Sequence, residues 1–315
     1  MVSAEAGRSA FVFPGQASQK VGMAAELLDR ESSARALFDK ASEVLGLDLV
    51  DICTRGDDEL LTRTDVAQPA LLTTCVAWLT ALHSRGVTPQ MVAGHSLGEF
   101  GAWVAAGALD FEPAVRLVRR RGEIMEDAAQ RNPGGMLAII GLPDEEVVRI
   151  CREARHAGVV VAANFNCPGQ VVVSGEADAL DRVGELAKRA RGKAVPLRVS
   201  GAFHSPLMDD AGRAFADLVA EAEVRAPQMG VVANATAELV TDAAGVREAM
   251  SKQMTSPVLW AASVRRLMKE GIRTFVEVGP GEVLTKLIGR ISADVRAVSV
   301  GTPEQLEALV QEVTS

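Results

Sequence analysis

The chain has no tyrosine, only 9 phenylalanines and 3 tryptophans, and only 4 cysteines in 315 residues. Cys53, Cys75, Cys151 and Cys167 are far apart and never form a C-x-x-C pair, which argues against a disulfide framework and a zinc knuckle. The first three sit among apolar neighbours and read as small buried hydrophobes. The 4 histidines (His83, His95, His156, His204) lack metal-ligand spacing, and no Asp-rich loop accompanies them, so no metal is expected. No uncharged apolar run reaches the ~18–20 residues of a membrane span. The opening MVSAEAGRSA carries no apolar leader segment, and the chain reads as cytoplasmic. Positive charge is also in short supply: 33 Lys and Arg against 41 Asp and Glu leave a net charge of −8. That balance disfavours nucleic acid or an anionic membrane as partner, and an acidic protein would have to dock on a local basic patch.

With 48% hydrophobic and 23% charged residues, the composition is that of a soluble globular protein. A length of 315 residues allows one large domain or a core with an insert. Residues 10–13 predict a strand ending at the Pro14-Gly15 loop signal. A helix is expected over 69–82 with Pro69 in its first turn, then a short strand over 91–93. A second strong helix starts from Asp110 as N-cap and runs to about 130. Gly134-Gly135 then breaks the chain and the rhythm changes. Strands over 136–140, 159–163, 171–174 and 194–199, with helices over 143–153 and 178–191, give the order βαββαβ, the ferredoxin-like plan. Afterwards helices alternate with short strands over 231–233, 274–278 and 295–300, and Thr302-Pro303 opens a last helix with Gln305 in the capping-box position. The expected architecture is α/β, a parallel sheet covered on both faces. Residues 1–131 and 201–315 would form the core and 134–199 a small inserted subdomain.

Gly94-His95-Ser96-Leu97-Gly98 lies between a strand and a helix, the context that makes G-x-S-x-G informative. Its glycines allow a sharp turn and close packing, and the serine hydroxyl is presented at a helix N-terminus whose N–H groups can hold an oxyanion. A Gly-Ser turn without chemistry is the plain alternative. A serine needs a base to become a nucleophile. His83 and His156 fall in helical surface settings, and the His95 side chain should point away along the turn. His204, opening a helix after the strand over 194–199, is the best-placed base. In α/β-hydrolases the order is Ser, acid, His, with the histidine near the C-terminus. Here a long stretch of further strands and helices follows His204, which weakens a hydrolase reading.

At these residues the chain resembles the malonyl-CoA:acyl carrier protein transacylases and the related acyltransferase domains of fatty acid and polyketide synthases. The likeness begins at Phe13-Pro14-Gly15-Gln16-Ala17-Ser18-Gln19 and runs through Gln68-Pro69-Ala70-Leu71, the elbow with Glu99, and Arg121-Gly122. It continues through Asn164-Phe165-Asn166-Cys167-Pro168-Gly169-Gln170, Ala202-Phe203-His204 and Gln253 to Glu277-Val278-Gly279-Pro280-Gly281. It implies an α/β-hydrolase-like core with a parallel sheet and an inserted ferredoxin-like subdomain. Ser96 would be the nucleophile, His204 its base, and the backbone N–H groups of Gln16 and Leu97 the oxyanion hole. Arg121 would bind the malonyl carboxylate, and a backbone carbonyl near Gln253 would orient the histidine in place of an acid. Asn164 and Asn166 would contact substrate in the cleft or act as ordinary turn formers; Gln68 is a cleft residue or a helix-terminal polar group. Phe203 would crowd an α-methyl group and favour malonyl over methylmalonyl. The family commonly has Tyr where Phe100 stands, and no role is expected for the missing hydroxyl.

The implied reaction moves malonyl from malonyl-CoA to the phosphopantetheine thiol of an acyl carrier protein by a ping-pong route. Both thioesters are substrates, so no resident cofactor is expected. An acyl hydrolase of the same fold and a non-catalytic carrier-binding module are the alternatives. Lys188, Arg189, Arg191 and Lys193 form the densest basic run, a candidate docking patch for an acidic carrier or a solvated helix end. No heptad or apolar tail is present, which favours a monomer.

A helix pattern reaches Arg121 without the likeness. At ~100° per residue along 110–130, Phe111, Ala114, Val115, Leu117, Val118, Met125, Ala128 and Ala129 share one arc, and Arg121 is the one charge inside it. A guanidinium facing the interior needs an anion and hydrogen bonds. Either a buried Asp or Glu pairs with it, or its planar fork is left open for a substrate carboxylate.

Overall fold

The computed structural model describes residues 8–314; residues 1–7, part of the stretch read above as lacking a leader, lie outside it. In chain order the strands are β1 (Ser9–Phe13), β2 (Met91–Gly94), β3 (Gly135–Ile140), β4 (Val160–Cys167), β5 (Gln170–Gly175), β6 (Lys193–Pro196), β7 (Gly230–Val232), β8 (Leu239–Val240), β9 (Thr274–Val278) and β10 (Arg296–Val300). The larger sheet has the order β10-β9-β1-β2-β7-β8. Every pairing in it is parallel except β7 with β8. The expected parallel sheet therefore carries an antiparallel edge strand, whose two residues are too few to show alternation in sequence.

Alternation in β1 explains why the sheet is covered twice. Phe11 and Phe13 pack into the large cluster that holds Leu71, Trp78 and Trp103, while Ala10 and Val12 face Trp260, Val264, Leu284 and Ile288 on the other side. The central helix of the large cluster is Thr64–Ser84, buried along nearly its whole length. By length and composition it could cross a membrane, which the sequence reading missed; with 89% of its apolar window inside the fold it is a core helix.

Pro69 sits inside this helix, five residues later than the first-turn position expected for it. A proline there leaves the carbonyl four residues earlier, that of Asp65, without its helical donor. Arg119, on the helix Phe111–Arg131, supplies one: its Nη1 donates to Asp65 O at 3.0 Å and also meets the Asp65 carboxylate at 3.0 Å. The two helices can approach this closely because Gly122 faces the crossing. A Cβ on Gly122 would stand 2.7 Å from both Asp65 Cα and Thr64 O.

The smaller sheet, β4-β5-β3-β6, is antiparallel throughout. Ile139, Val171 and Val173 pack under the helices Asp144–Ala154 and Ala177–Arg189, whose Val147, Ile150, Val183 and Leu186 cover that face. Met136, Ala138 and Val172 point to the opposite face, toward the larger core. β4 runs four residues past its expected end, because bulges at Ala162/Asn164 and Phe165/Cys167 break its alternation. Phe165 N–H donates to Val258 O at 2.9 Å and Val258 N–H to Ala163 O at 2.8 Å, so the backbone stitches this edge to the core. β6 ends at Pro196, before the expected 199. The last helix is capped much as its sequence suggests: Gln305 N–H donates to Thr302 Oγ1 at 3.3 Å, while Gln305 Oε1 accepts from Gly301 N–H at 2.9 Å, one residue earlier than in a capping box.

Gly122→Ala should destabilise the protein by about 1–3 kcal/mol, because the added methyl meets backbone that cannot yield without separating the helices. Urea unfolding checks it; an unchanged midpoint would mean the crossing is looser than these distances.

Candidate active site

Parallel strands leave their C-terminal ends on one edge of the sheet, where ligands of open α/β folds collect. From β1 emerges Gln16, from β2 His95 and Ser96, and from β7 Asn234. The turn after β2 is tight. A Cβ on Gly94 would lie 2.0 Å from Gly98 C, and one on Gly98 would lie 2.0 Å from Phe13 O. Between them Ser96 adopts φ 49°, a left-handed conformation that costs a serine energy and must be held by its surroundings. Asn234 holds it: its Oδ1 accepts from Ser96 N–H at 2.7 Å, and its Nδ2 donates to Gly94 O at 2.5 Å.

Ser96 Oγ lies 2.8 Å from His204 Nε2. On the far side of the ring, His204 Nδ1 is 3.0 Å from Gln253 O and 3.1 Å from Ser256 O. Carbonyls only accept, so Nδ1 carries the proton and Nε2 turns its lone pair to the serine. Two backbone carbonyls thus do the orienting that a carboxylate does in other triads. Burial, then the Arg121 charge and His95, pushes His204 down to about 3, so the imidazole stays neutral with its Nε2 lone pair unprotonated. His95 makes no hydrogen bond to the hydroxyl and forms part of the cleft wall. Its Nε2 is 2.8 Å from Asn166 Oδ1, and its ring meets Trp260 edge-on at 5.7 Å.

Arg121 is 1% exposed. Its Nη1 donates to Gln68 Oε1 at 2.8 Å, and its Nη2 donates to Gln253 Oε1 at 2.7 Å and reaches Ser96 Oγ at 3.4 Å. Its Nε has no partner among the described residues. The guanidinium carbon stands 5.7 Å from the centre of the Phe100 ring, which gives the cation an aromatic floor. No carboxylate of the described residues pairs directly with Arg121. The nearest buried acid, Glu99, is joined to it through Gln253, whose Nε2 donates to Glu99 Oε2 at 2.9 Å and to Ser96 O at 2.6 Å. Glu99 Oε1 accepts from Asn234 N–H at 2.7 Å. Burial raises Glu99 to about 7 against the pull of Asn234, Gln253 and Arg121, and burial lowers Arg121 to about 10 against the pull of Glu99.

The cleft over Ser96 has a volume of about 290 Å³. Gln16, Leu97, Arg121, Asn164, Asn166, Phe203 and His204 all line it, together with Met136, Ala138 and Val172 from the free face of the small sheet. The backbone N–H groups of Gln16 and Leu97 donate to no protein acceptor among the described residues, so both are available to an oxyanion. Gln68 is a correction: it does not line the cleft but lies fully buried between Arg121 and Met125, its Nε2 3.3 Å from Met125 Sδ. Asn164 and Asn166 belong to β4, which excludes the turn-former alternative for them. Lys188, Arg189, Arg191 and Lys193 are exposed and, among the described residues, form no ion pair. The chain leads from them through β6 into Leu197, Arg198 and Val199, which line the cleft. Sequence reasoning missed Asn234 altogether and gave Glu99 no function. The signal for Asn234 was its place just past a strand that ends beside the elbow.

Because His204 is neutral far below the ordinary imidazole value of 6.5, acylation of Ser96 by an uncharged acyl thioester should hold its rate through that value as pH falls. A stopped-flow pH series checks this; a drop centred near 6.5 would reveal an ordinary histidine base.

The family model described as an acyl transferase domain matches residues 10–310. The malonyl CoA-acyl carrier protein transacylase of Bacillus subtilis (strain 168) is 42% identical over 304 residues, 96% of this chain and 96% of its own. That of Escherichia coli (strain K12) is 41% identical over 304 residues, 96% of this chain and 98% of its own. Among solved structures, an acyl carrier protein S-malonyltransferase from Vibrio cholerae superposes with a TM-score of 0.93 at 41% identity, over 96% of this chain and 99% of that one. A malonyl-transacylase in complex with its type II polyketide acyl-carrier protein superposes with a TM-score of 0.94 at 38% identity, over 97% of this chain and 99% of that one. With Ser96, His204 and Arg121 converging on one cleft, and likeness of this extent along the chain, the protein belongs to the malonyl-CoA:acyl carrier protein transacylase family.

Proposed function

We propose that the protein is an S-malonyltransferase that carries malonyl from malonyl-CoA to the phosphopantetheine thiol of an acyl carrier protein. The observation that carries this reading is Arg121, a buried cation with no direct carboxylate partner among the described residues, 3.4 Å from Ser96 Oγ. A dicarboxylic acyl thioester brings the missing anion to that spot, where a planar fork can take it bidentately. A hydrolase of simple acyl chains has no use for the charge, and the relatives are named as transacylases.

In the first half, Ser96 Oγ attacks the thioester carbon while its proton passes to His204 Nε2. Negative charge develops on the carbonyl oxygen against the N–H groups of Gln16 and Leu97. The C–S bond breaks, and the coenzyme A thiolate leaves with the proton returned by His204. In the second half the carrier thiol gives its proton to His204 and attacks the Ser96 ester; the C–O bond breaks and Ser96 recovers the proton. Asn166 holds His95 in the cleft wall, Asn164 and Phe203 shape the acyl space, and Gln68 and Gln253 hold Arg121. No resident cofactor is required. The same reading divides the chain into a core of 1–131 with 201–315 and a small subdomain of 134–199, and places the enzyme in the cytoplasm.

Intact-mass measurement tests the reaction. Malonyl-CoA should add one malonyl group to the protein, and Ser96→Ala should add none. His204→Ala should slow the addition by about 10²–10⁴-fold. Arg121→Ala should lose malonyl transfer while acetyl transfer holds or improves, and even Arg121→Lys should be impaired, since it keeps the charge without the fork. A burst of coenzyme A that survives Ser96→Ala would sink the covalent route.

The basic run beside the cleft rim suits an acidic carrier protein on an enzyme of net charge −8. Charge reversal at Lys188 and Arg189 should raise the Michaelis constant for carrier protein and leave hydrolysis of malonyl-CoA unchanged. An equal effect on both would exclude docking there.

A further inference from the structure

Glu99 is a buried acid that the reaction as written does not use. It lies behind the cleft wall, 1% exposed, and it does not line the cleft. It cannot touch the acyl group, but it faces the side chain that links the site together. The Gln253 amide has two ends, and they are not interchangeable here. Its oxygen takes Arg121 Nη2, and its nitrogen serves both Glu99 Oε2 and Ser96 O. An ionised carboxylate accepts only, so it demands the nitrogen end of the amide and sends the oxygen end to the guanidinium. The other carboxylate oxygen is fixed by Asn234 N–H, on the residue that also holds the Ser96 backbone.

We propose that Glu99 is a positioning residue for malonyl selection: its ionised carboxylate fixes the direction of the Gln253 amide, and so aims Arg121 at the acyl carboxylate beside Ser96. Protonated Glu99 would need an acceptor in turn, and the Gln253 oxygen is the one at hand. The amide would then rotate, present its N–H₂ to Arg121 and push the guanidinium off its aim. An uncharged acyl group, which does not use Arg121, is spared. Burial brings the Glu99 titration to about 7, where this switch operates. The sign follows: malonyl transfer is intact above that pH and lost below it. The other charged groups at the site do not mimic it. Arg121, from the helix Phe111–Arg131, is the charge acting on Glu99; His95 and His204, from the elbow and the loop after β6, are pushed down by burial. Asn234 and Gln253 bring only neutral groups.

The inference rests on Ser96 and Arg121 acting as proposed above, and the test separates the two. Malonyl- and acetyl-N-acetylcysteamine thioesters serve as probes, since they lack the titrating phosphates of coenzyme A. In the wild type, kcat/KM for the malonyl probe should fall about tenfold per pH unit below 7, and that for the acetyl probe should stay level. Glu99→Gln, which cannot ionise and sets a donor against Gln253, should remove that limb. It should lower kcat/KM for malonyl about 10- to 100-fold more than for acetyl, chiefly through KM. A level malonyl profile in the wild type overturns the proposal whether or not the variant folds. So does a Glu99→Gln enzyme that keeps its malonyl activity, or one in which both probes fall by one factor together with Tm. Failure of the wild type to form any acyl-enzyme would instead strike the reading of Ser96.

Discussion

Gln253 is the residue through which the site is assembled. Its backbone carbonyl accepts from His204, its amide oxygen from Arg121, and its amide nitrogen reaches both the Ser96 carbonyl and Glu99. Base, nucleophile and anion-binding cation are therefore referred to one side chain and one peptide unit, on a loop just past the helix Ala243–Lys252. Each bond alone is worth about 1 kcal/mol net, but leaving any of these buried groups unpaired costs more than the bond gives.

The fold places this loop against the elbow by burying the main sheet twice. β1 sends Phe11 and Phe13 one way and Ala10 and Val12 the other, and the C-terminal ends of β1, β2 and β7 remain on one uncovered edge. The small sheet then closes the edge. It has helices on one face only, so Met136, Ala138 and Val172 are left to form the apolar wall of the cleft. An apolar wall raises the cost of burying a charge, which is how burial, joined at His204 by the Arg121 charge and His95, moves His204, Glu99 and Arg121 so far from their ordinary values.

Much of this was legible beforehand. The two glycines around Ser96 announce a turn that only glycine can make, and the eight-residue apolar arc of the helix Phe111–Arg131 makes Arg121 conspicuous as the charge inside it. The alternation of strands and helices gave the two-sheet plan. What could not be read depends on contacts between segments far apart in sequence. Asn234 meets Ser96 across 138 positions and Gln253 meets it across 157, and no local period encodes such a pair. Glu99 stands inside a recognisable motif, yet a lone acid near the start of a helix looks like a favourable charge on the helix dipole. Pro69 misled for a similar reason: proline in a helix suggests a first turn unless a distant arginine replaces the lost bond.

That replacement has a mechanical consequence. The carbonyl of Asp65, released by Pro69, is a buried acceptor at one fixed height along the central helix, and Arg119 is the donor that fits it. Sliding the neighbouring helix by a single turn would strand that carbonyl and carry Gly122 away from Thr64 and Asp65, where its lack of a side chain lets the two backbones meet. The imperfection in one helix thus acts as a notch, and the other helix as its pawl. Arg121, two residues beyond Arg119, inherits its height in the cleft from that engagement rather than from any contact with the acyl chain.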